Sequence, residues 1–248
     1  MTKLSVNVNK VALLRNTRDI GIPSVIEAAR ACVVAGADGI TVHPRPDQRH
    51  IRPDDVYELA EMLTVEFNIE GNCFAEAGGG YPGFMAIIRR VCPDQCTLVP
   101  DDPGQRTSDH GWDLSKDAKR LVPVLAELRE LGVRSSLFMD ADTEQIERAG
   151  ELGPDRVELY TEPYARAFAA GEAARELDRF AAAAERAQQL GLGVNAGHDL
   201  NLDNLPLFCT IPGILEVSIG HALVADALHM GFDAAVKAYL KALSGSVA

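Results

Sequence analysis

Titratable side chains of this sequence concentrate where short β-type segments end. Four of its six histidines have this position: His43, His50, His198 and His221. Glu70 lies within a similar segment, in the apolar frame of residues 67–71. Partial burial raises the pKa of a carboxyl group, and a carboxyl with a raised pKa suits general-base work. These residue types therefore indicate proton transfer in an enclosed site.

Two other kinds of chemistry fit parts of this pattern. His43, Glu70 and His198 are two histidines and a carboxylate, a combination that can bind a metal ion. No HExxH or similar spacing accompanies them, so we expect no bound metal. A Schiff-base lysine is disfavoured, because Lys10 is the only lysine at a predicted strand end. Asp140 also ends a predicted strand, but it has the alternative role of capping the next helix through its side-chain oxygen.

Eight β-type runs must position these side chains, and helix-length amphipathic segments alternate with them. The runs cover residues 4–8, 39–43, 68–71, 96–99, 134–139, 156–160, 193–196 and 215–219. The helical segments cover residues 24–35, 54–66, 81–91, 117–131, 143–152, 170–190 and 232–243. Such alternation predicts parallel strands with crossover helices. Eight strands in about 250 residues predict a single-domain (β/α)8 TIM barrel over 1–248. An open doubly wound sheet is less favoured, since residues 9–12 lack a glycine-rich first turn.

Cationic and small residues near the predicted strand ends indicate anion binding. The cationic set is Arg15, Arg18, Arg45, Arg49 and His50. Arginine forks match phosphate oxygens well, although Arg15 and Arg49 have solvated ion pairs as an equal alternative. Barrels often hold phosphate in the loops after strands seven and eight. We therefore expect one phosphate at Gly197 and Gly220-His221, and a second near Arg45 and His50.

Composition and charge exclude several classes of protein. Hydrophobic residues make up 47% and charged residues 24%, which are ordinary globular values. The net charge of -12 argues against non-specific nucleic-acid binding, which requires clustered Lys and Arg. Residues 1–50 nevertheless carry 7 basic and 4 acidic side chains, so bases are enriched in that part of the chain. No apolar run is long enough to span a membrane, and no signal peptide is recognisable. We expect a soluble, cytoplasmic protein.

Cysteine usage indicates neither a disulfide framework nor a zinc site. The chain has 5 cysteines, an odd number. Cys92 and Cys96 form one C-x3-C pair without a second pair to complete a zinc site. Cys32 lies in an apolar helical pattern, where a small buried hydrophobic residue is expected.

Several motifs, in order along nearly the whole chain, resemble the pyridoxine 5'-phosphate synthase family. The most specific are Asn195-Ala196-Gly197-His198, Ile219-Gly220-His221 and His43-Pro44-Arg45. Further matching segments are residues 6–8, 14–18, 35–42, 49–51, 68–70, 98–100 and 136–142. The resemblance implies a (β/α)8 barrel that forms homo-octamers and uses neither a metal nor an organic cofactor. It also implies the condensation of 1-deoxy-D-xylulose 5-phosphate with 3-amino-2-oxopropyl phosphate, which releases phosphate and water.

The resemblance also assigns roles to individual residues. His43 and Glu70 would accept protons, His198 would donate one, and Glu158 would stabilise charge in a transition state. The residues expected to hold the amino-oxopropyl phosphate are Asn7, Arg18, Gly220 and His221. Those expected to hold the deoxyxylulose phosphate are Arg45, His50 and Thr107.

The sequence departs from the family pattern at three places. Asn9-Lys10 stand where the family often has Asp-His, which keeps hydrogen-bonding capacity and adds a fixed cation. Asp199 stands where the family usually has glycine after the histidine, so a backbone contact with phosphate is less secure there. We still expect all three residues to contact substrate. The loop of residues 101–107 also differs, and its Pro-Gly step is typical of a mobile lid.

Two rival functions are compatible with the same residues. One is a different barrel enzyme, an isomerase or aldolase that acts on a single phosphorylated sugar. The other is a binding scaffold for phosphorylated ligands without catalysis, which predicts no product from any pair of substrates.

Overall fold

Eight parallel strands close into a barrel in the computed structural model, which describes residues 1–18, 20–102 and 104–245. The strands are β1 (Lys3–Asn7), β2 (Gly39–Val42), β3 (Glu66–Gly71), β4 (Gln95–Leu98), β5 (Arg134–Met139), β6 (Arg156–Tyr160), β7 (Gly193–Gly197) and β8 (Ile214–Ile219). Each strand pairs with the next along the chain, and β8 closes the barrel against β1. The predicted (β/α)8 barrel is confirmed.

Helices surround the strands. They are α1 (Asn9–Arg15), α2 (Val25–Val34), α3 (Pro53–Met62), α4 (Phe84–Val91), α5 (Leu114–Glu130), α6 (Thr143–Leu152), α7 (Glu162–Ala169), α8 (Ala173–Gln189), α9 (Leu205–Phe208), α10 (His221–Met230) and α11 (Phe232–Leu243). Among the described residues, none of these helices combines the length and the apolar character that crossing a membrane requires.

Some predicted helix boundaries differ from the structure. The helix predicted over residues 54–66 ends at Met62, because β3 already begins at Glu66. Helix α10 was not predicted as an element, because its sequence is apolar around most of its circumference and shows no clear helical period. The short helix α1 was also missed, since its first residues read as the end of a strand.

Two helices are followed by glycines in a left-handed conformation. Gly153 ends α6 with φ of 67°, and Gly132 follows α5 with φ of 71°. Glycine adopts this left-handed conformation at little cost, so each helix can stop and the chain can turn into the next strand.

The strands alternate between an apolar outer face and a polar inner face. Leu4 and Val6 of β1 are fully buried in the main hydrophobic core, against the helices. Ser5, between them, instead lies 2.7 Å from the Thr41 hydroxyl across the barrel interior. Asn68 extends this inner layer by donating to Thr41 Oγ1 at 3.3 Å. Branched aliphatic residues fill most TIM barrels, so the polar interior distinguishes this chain.

Charged and amide side chains fill the end of the interior where the strands begin. Glu216 is 2% exposed and accepts hydrogen bonds from Asn195 Nδ2 at 3.2 Å and Gln95 Nε2 at 3.4 Å. Arg156 Nη1 lies 4.0 Å from carboxylate oxygens of both Glu216 and Glu66. Burial, together with the neighbouring Glu66, raises the pKa of Glu216 to about 8. The base of the barrel therefore holds a carboxyl group that is largely protonated at pH 7.

Candidate active site

The predicted catalytic side chains come from different strands and lie at one mouth of the barrel. Glu70 belongs to β3 and Glu158 to β6, while His43 and His198 directly follow β2 and β7. Asn7 is the last residue of β1. Parallel strands direct their carboxyl ends to the same side of a barrel. The fold therefore brings these residues to one end, although they are far apart in sequence.

Glu70 is buried in this mouth, with 5% of its surface exposed. Asn7 Nδ2 donates to Glu70 Oε2 at 3.5 Å, and His43 Nδ1 lies 3.9 Å from the same oxygen. Burial, assisted by the charges of Glu158 and Asp101, raises the pKa of Glu70 well above its usual range. The structure thus has the burial and the upward pKa shift that the sequence predicted. In the free site burial therefore favours the protonated form of Glu70.

His43 and His50 are neutral bases in this mouth. Burial lowers the pKa of each ring to about 3, and the charge of Arg45 contributes to both shifts. The Ile51 N–H donates to His50 Nδ1 at 3.0 Å, so the proton of the neutral His50 ring is on Nε2. His50 is therefore equipped to donate one hydrogen bond to an anion, whereas His43 is able to accept a proton.

Arg45 is paired with a carboxylate that the sequence analysis did not select. Arg45 is 4% exposed, and its Nη2 lies 2.9 Å from Oδ2 of Asp101. The same Asp101 oxygen lies 3.4 Å from His43 Nε2 and accepts a hydrogen bond from Ser108 Oγ at 3.0 Å. Asp101 closely follows the apolar run of β4, so the strand-end criterion that selected His43 could have found it.

Glu158 occupies a buried position deeper in the mouth. Its Oε2 accepts a hydrogen bond from Thr97 Oγ1 at 3.4 Å, which lowers the pKa, but burial dominates and raises the pKa to about 7. A Cβ atom on Gly197 would lie 2.4 Å from Glu158 Oε1, so glycine is required for this close approach. Glu158 can therefore change protonation near neutral pH.

His198 packs against an aromatic wall within the barrel. Its ring centroid lies 5.1 Å from that of Phe138 and 5.4 Å from that of Tyr160. Burial lowers the pKa of His198, while Asp199 and Asp101 oppose this shift. His198 and Asp199 have φ of 82° and 56°, a left-handed conformation that non-glycine residues rarely adopt. The backbone takes the bend that glycine would favour although Asp199 stands there.

The ends of β1 and β8 bring several predicted ligands together. Asn9 Oδ1 accepts the His43 backbone N–H at 2.9 Å, so this side chain positions the start of the β2 loop. The charge of Lys10 lowers the pKa of both His50 and His198. Gly220 precedes α10, and a Cβ atom there would lie 3.1 Å from Asn7 Cβ. The α10 N-terminus therefore opens beside the predicted catalytic residues.

Other predicted ligands lie on the outer rim. Four of them have exposed side chains and therefore lie at the protein surface rather than inside the barrel mouth: Arg18, Thr107, Asp199 and His221. Pro103, part of the predicted lid, lies outside the described residues. The other two histidines, His110 and His229, are exposed.

Two arginines of the predicted anion set are engaged in contacts within the protein. Arg15 Nη2 donates to Asp55 Oδ2 at 2.9 Å and to the His50 carbonyl at 3.2 Å. Arg49 Nε donates to Asp47 Oδ2 at 2.6 Å. These two arginines therefore form the ion pairs that the sequence left as their alternative role. Similarly, Asp142 rather than Asp140 caps α6.

A cavity of about 790 Å³ adjoins the mouth on its β2–β4 side. The lining includes His43, Arg45, Asn72, Phe74, Asp101 and Trp112. Both charged and aromatic side chains are thus available to a ligand that enters beside His43. Across the described ranges, no cluster of three His, Cys, Asp or Glu side chains is arranged to hold a metal ion.

The sequence profile of the family described as "Pyridoxal phosphate biosynthesis protein PdxJ" matches residues 4–245. The chain belongs to this family. A pyridoxine 5'-phosphate synthase of Xanthomonas axonopodis pv. citri (strain 306) is 56% identical over 251 residues, which cover 99% of this chain and 98% of the relative. The synthase of Albidiferax ferrireducens (strain ATCC BAA-621 / DSM 15236 / T118) is 55% identical, covering 98% of each chain. The resemblance inferred from the motifs is confirmed, and this PdxJ-family barrel is an enzyme.

More distant solved structures share the barrel alone. KGPDC from Streptococcus mutans superposes with a TM-score of 0.63 at 12% identity and covers 98% of both chains. Phosphoribosylanthranilate isomerase from Thermotoga maritima has a TM-score of 0.58 at 14% identity and covers 99% of this chain and 100% of its own. At such low identity the similarity concerns the fold.

Proposed function

We propose that this PdxJ-family enzyme is a cytoplasmic pyridoxine 5'-phosphate synthase. It would condense 1-deoxy-D-xylulose 5-phosphate with 3-amino-2-oxopropyl phosphate and close the pyridine ring of vitamin B6. The observation that carries this proposal is the set of proton-transfer groups around one mouth. It combines the neutral base His43 with Glu70 and Glu158, two buried carboxyls whose pKa values are raised.

The chemistry of the proposed reaction requires such a set. The amine must attack a ketone and lose water, phosphate must be eliminated, and a carbon–carbon bond must close the ring. Each of these steps moves a proton, so several acid and base groups must face one substrate cavity. Neutral His43 would accept a proton, and His198 would return one to a leaving oxygen.

Substrate binding would shift the protonation of Glu70. Burial raises the pKa of this carboxyl in the free site, but a cationic ammonium group nearby favours the carboxylate form. Binding of the amino ketone would therefore lower the pKa of Glu70 and prepare it to accept a proton in a later step. Glu158 would stabilise positive charge as it develops.

The two phosphate groups would bind on opposite sides of the mouth. Arg45 and His50 provide a cation and a neutral N–H donor on the β2 side, for the deoxyxylulose phosphate. Gly220 and His221 provide the N-terminus of α10 for the amino-oxopropyl phosphate, because helix N-termini favour anions. Strand β1 pairs with β8, which precedes Gly220; Asn7 ends β1, Lys10 lies in α1 and Arg18 follows α1.

Purified, chelator-treated protein incubated with both substrates tests this proposal. The fluorescent B6 vitamer should form only when both substrates are present. Turnover of one phosphorylated sugar alone would support an isomerase or aldolase instead. Binding of both substrates without any product would support a scaffold, and activity that depends on an added metal would contradict metal-free catalysis.

A further inference from the structure

Asp101 links three parts of the mouth through one buried carboxylate. It is 6% exposed, and its Oδ2 lies 3.4 Å from His43 Nε2, 2.9 Å from Arg45 Nη2 and 3.0 Å from Ser108 Oγ. We propose that Asp101 is a positioning residue that fixes the ring proton of His43 on Nε2, so that Nδ1 remains the basic nitrogen. This inference rests on the proposed function, in which His43 is a proton acceptor.

Two donors face Oδ2 of Asp101, as expected for an ionised carboxylate: the Arg45 guanidinium at 2.9 Å and the Ser108 hydroxyl at 3.0 Å. Burial raises the pKa of Asp101 overall, and these two donors limit that rise. Its backbone is also held, because Asn72 Nδ2 donates to the Asp101 carbonyl at 2.7 Å. An ionised carboxylate can only accept hydrogen bonds, so the group that faces it on His43 must be an N–H.

The ring of His43 needs such a partner. Its pKa of about 3 makes it neutral at pH 7, and a neutral imidazole carries its single proton on either nitrogen. With Nε2 directed to Asp101, the Nδ1 lone pair faces Glu70 Oε2, 3.9 Å away. The separation of 3.4 Å between Nε2 and Asp101 is long for a hydrogen bond, and such contacts often tighten when substrate binds.

Asp101 also connects His43 to the loop that follows β4. Ser108 is buried against Asp101, and it directly follows Thr107, which is expected to contact the deoxyxylulose phosphate. A change in the position of this loop would therefore alter the contact between Asp101 and the His43 ring. A simpler role for Asp101 would be to neutralise Arg45, and the experiments must separate these two roles.

A double-mutant cycle separates the positioning of His43 from the neutralisation of Arg45. Asp101→Asn removes the charge with little change of shape, and we expect kcat to fall at least about 30-fold, since loss of a tautomer-fixing carboxylate costs up to about 10⁴. In an His43→Asn background the same change should cost less than about twofold, because residues that act as a unit are not additive. In an Arg45→Lys background the 30-fold loss should persist. Equal losses with and without His43 would overturn the proposal.

Two further variants serve as controls. Asp102→Asn removes a neighbouring exposed carboxylate. Residue 102 contacts Arg45 only through its backbone carbonyl, which the substitution keeps, so kcat should stay within about twofold. Asp101→Glu restores the charge and should recover part of kcat, which a purely steric role would not allow. Absence of product with unmodified enzyme would refute the proposed function rather than the positioning role.

A spectroscopic measurement tests the positioning role without turnover. Magic-angle-spinning NMR of protein labelled with ring-¹⁵N histidine reports the tautomer of each of the 6 histidines, and the His43→Asn variant identifies the His43 signals. The unmodified protein should show His43 protonated on Nε2. In Asp101→Asn, protonation on Nδ1 should appear in part of the molecules, since a neutral amide oxygen stabilises an N–H at Nε2 less than a carboxylate does. An unchanged His43 tautomer would contradict the inference.

Discussion

Buried carboxyl groups are the residue-scale feature that most determines the chemistry of this enzyme. Glu70 and Glu158 lie on β3 and β6, and burial is the largest cause of the raised pKa of each. Burial raises the pKa of Glu158 to about 7, whereas the charges of Glu158 and Asp101 add to the effect of burial on Glu70. Two carboxyls in one mouth therefore differ in their readiness to release a proton, which suits a reaction with several proton transfers.

At this scale we predict that Glu70→Gln reduces kcat by about 10²- to 10⁴-fold, the usual contribution of a general acid–base group. The amide has the shape of the protonated carboxyl, so KM for both substrates should change little and Tm should stay within about 3 °C. Steady-state kinetics and thermal unfolding measure these quantities. Near-normal kcat would remove Glu70 from proton transfer.

Loops and helices at the strand ends are the elements that complete the site. The loop after β4 is fastened to the loop after β2 by Arg49, whose Nη1 donates to the carbonyls of Gln105 at 2.9 Å and Arg106 at 3.1 Å. Asp47 orients the same guanidinium. An arginine expected to bind phosphate thus serves to hold the loop that carries Thr107.

We therefore predict that Arg49→Ala loosens this loop. KM for the deoxyxylulose phosphate should rise about tenfold, because two charged hydrogen bonds to the loop are lost. Hydrogen exchange over residues 104–110 should become faster. The exposed Arg30 of α2, paired with Glu27, offers a matched control, and its alanine variant should leave both quantities unchanged. Unaltered exchange in Arg49→Ala would show that other contacts hold the loop.

The barrel as a whole carries a polar interior from its base to its mouth. Glu216 at the base has a pKa of about 8, above that of an exposed glutamate. A carboxyl whose pKa is raised by folding stabilises the fold while protonated, and this contribution declines as pH rises through the folded pKa. The native protein should therefore lose stability between about pH 5 and pH 8.

Glu216→Gln tests this pH dependence. The amide imitates the protonated carboxyl, so the variant should be more stable than the unmodified protein at pH 8, by about 5 °C in Tm, and similar to it at pH 5. Arg156 keeps Glu66 as a partner at 4.0 Å in the variant. Thermal unfolding at several pH values measures the effect, and a difference independent of pH would contradict it.

At the scale of the whole molecule, the neighbouring helices α1 and α10 both carry exposed apolar side chains, and we call this surface the α1–α10 face. The exposed residues are Leu13 and Leu14 of α1 and Leu228 and Met230 of α10. Large exposed apolar patches mark protein interfaces. We predict a homo-octamer, with a mass about eight times that of the 26.7 kDa chain, assembled in part through this face.

Light scattering during size exclusion measures this mass. Leu228→Asp should reduce the mass of the assembly, since it introduces a charge on this face, whereas Val122→Asp on α5 provides a control at another exposed apolar residue. A monomer in the unmodified protein, or an intact assembly in Leu228→Asp, would contradict the corresponding part of this prediction.

The sequence alone predicts the alternation of strands and helices, the family, and most of the residues at the mouth of the barrel. The reason is that apolar periodicity and strand-end position are local patterns, as at Glu70 and His43. Helix α10 was missed because its composition has no polar face to reveal its period.

Tertiary structure decided which of these residues meet and what holds them. Two strands, β3 and β4, lie between His43 and Asp101 in the sequence, and only the folded sheet brings the carboxylate to the imidazole. It also decided that Arg15 and Arg49 bind to other segments of the protein, Arg15 to Asp55 and Arg49 to the backbone of the loop after β4. The shifted pKa values likewise depend on burial and on charges from other strands, neither of which is encoded at any one position.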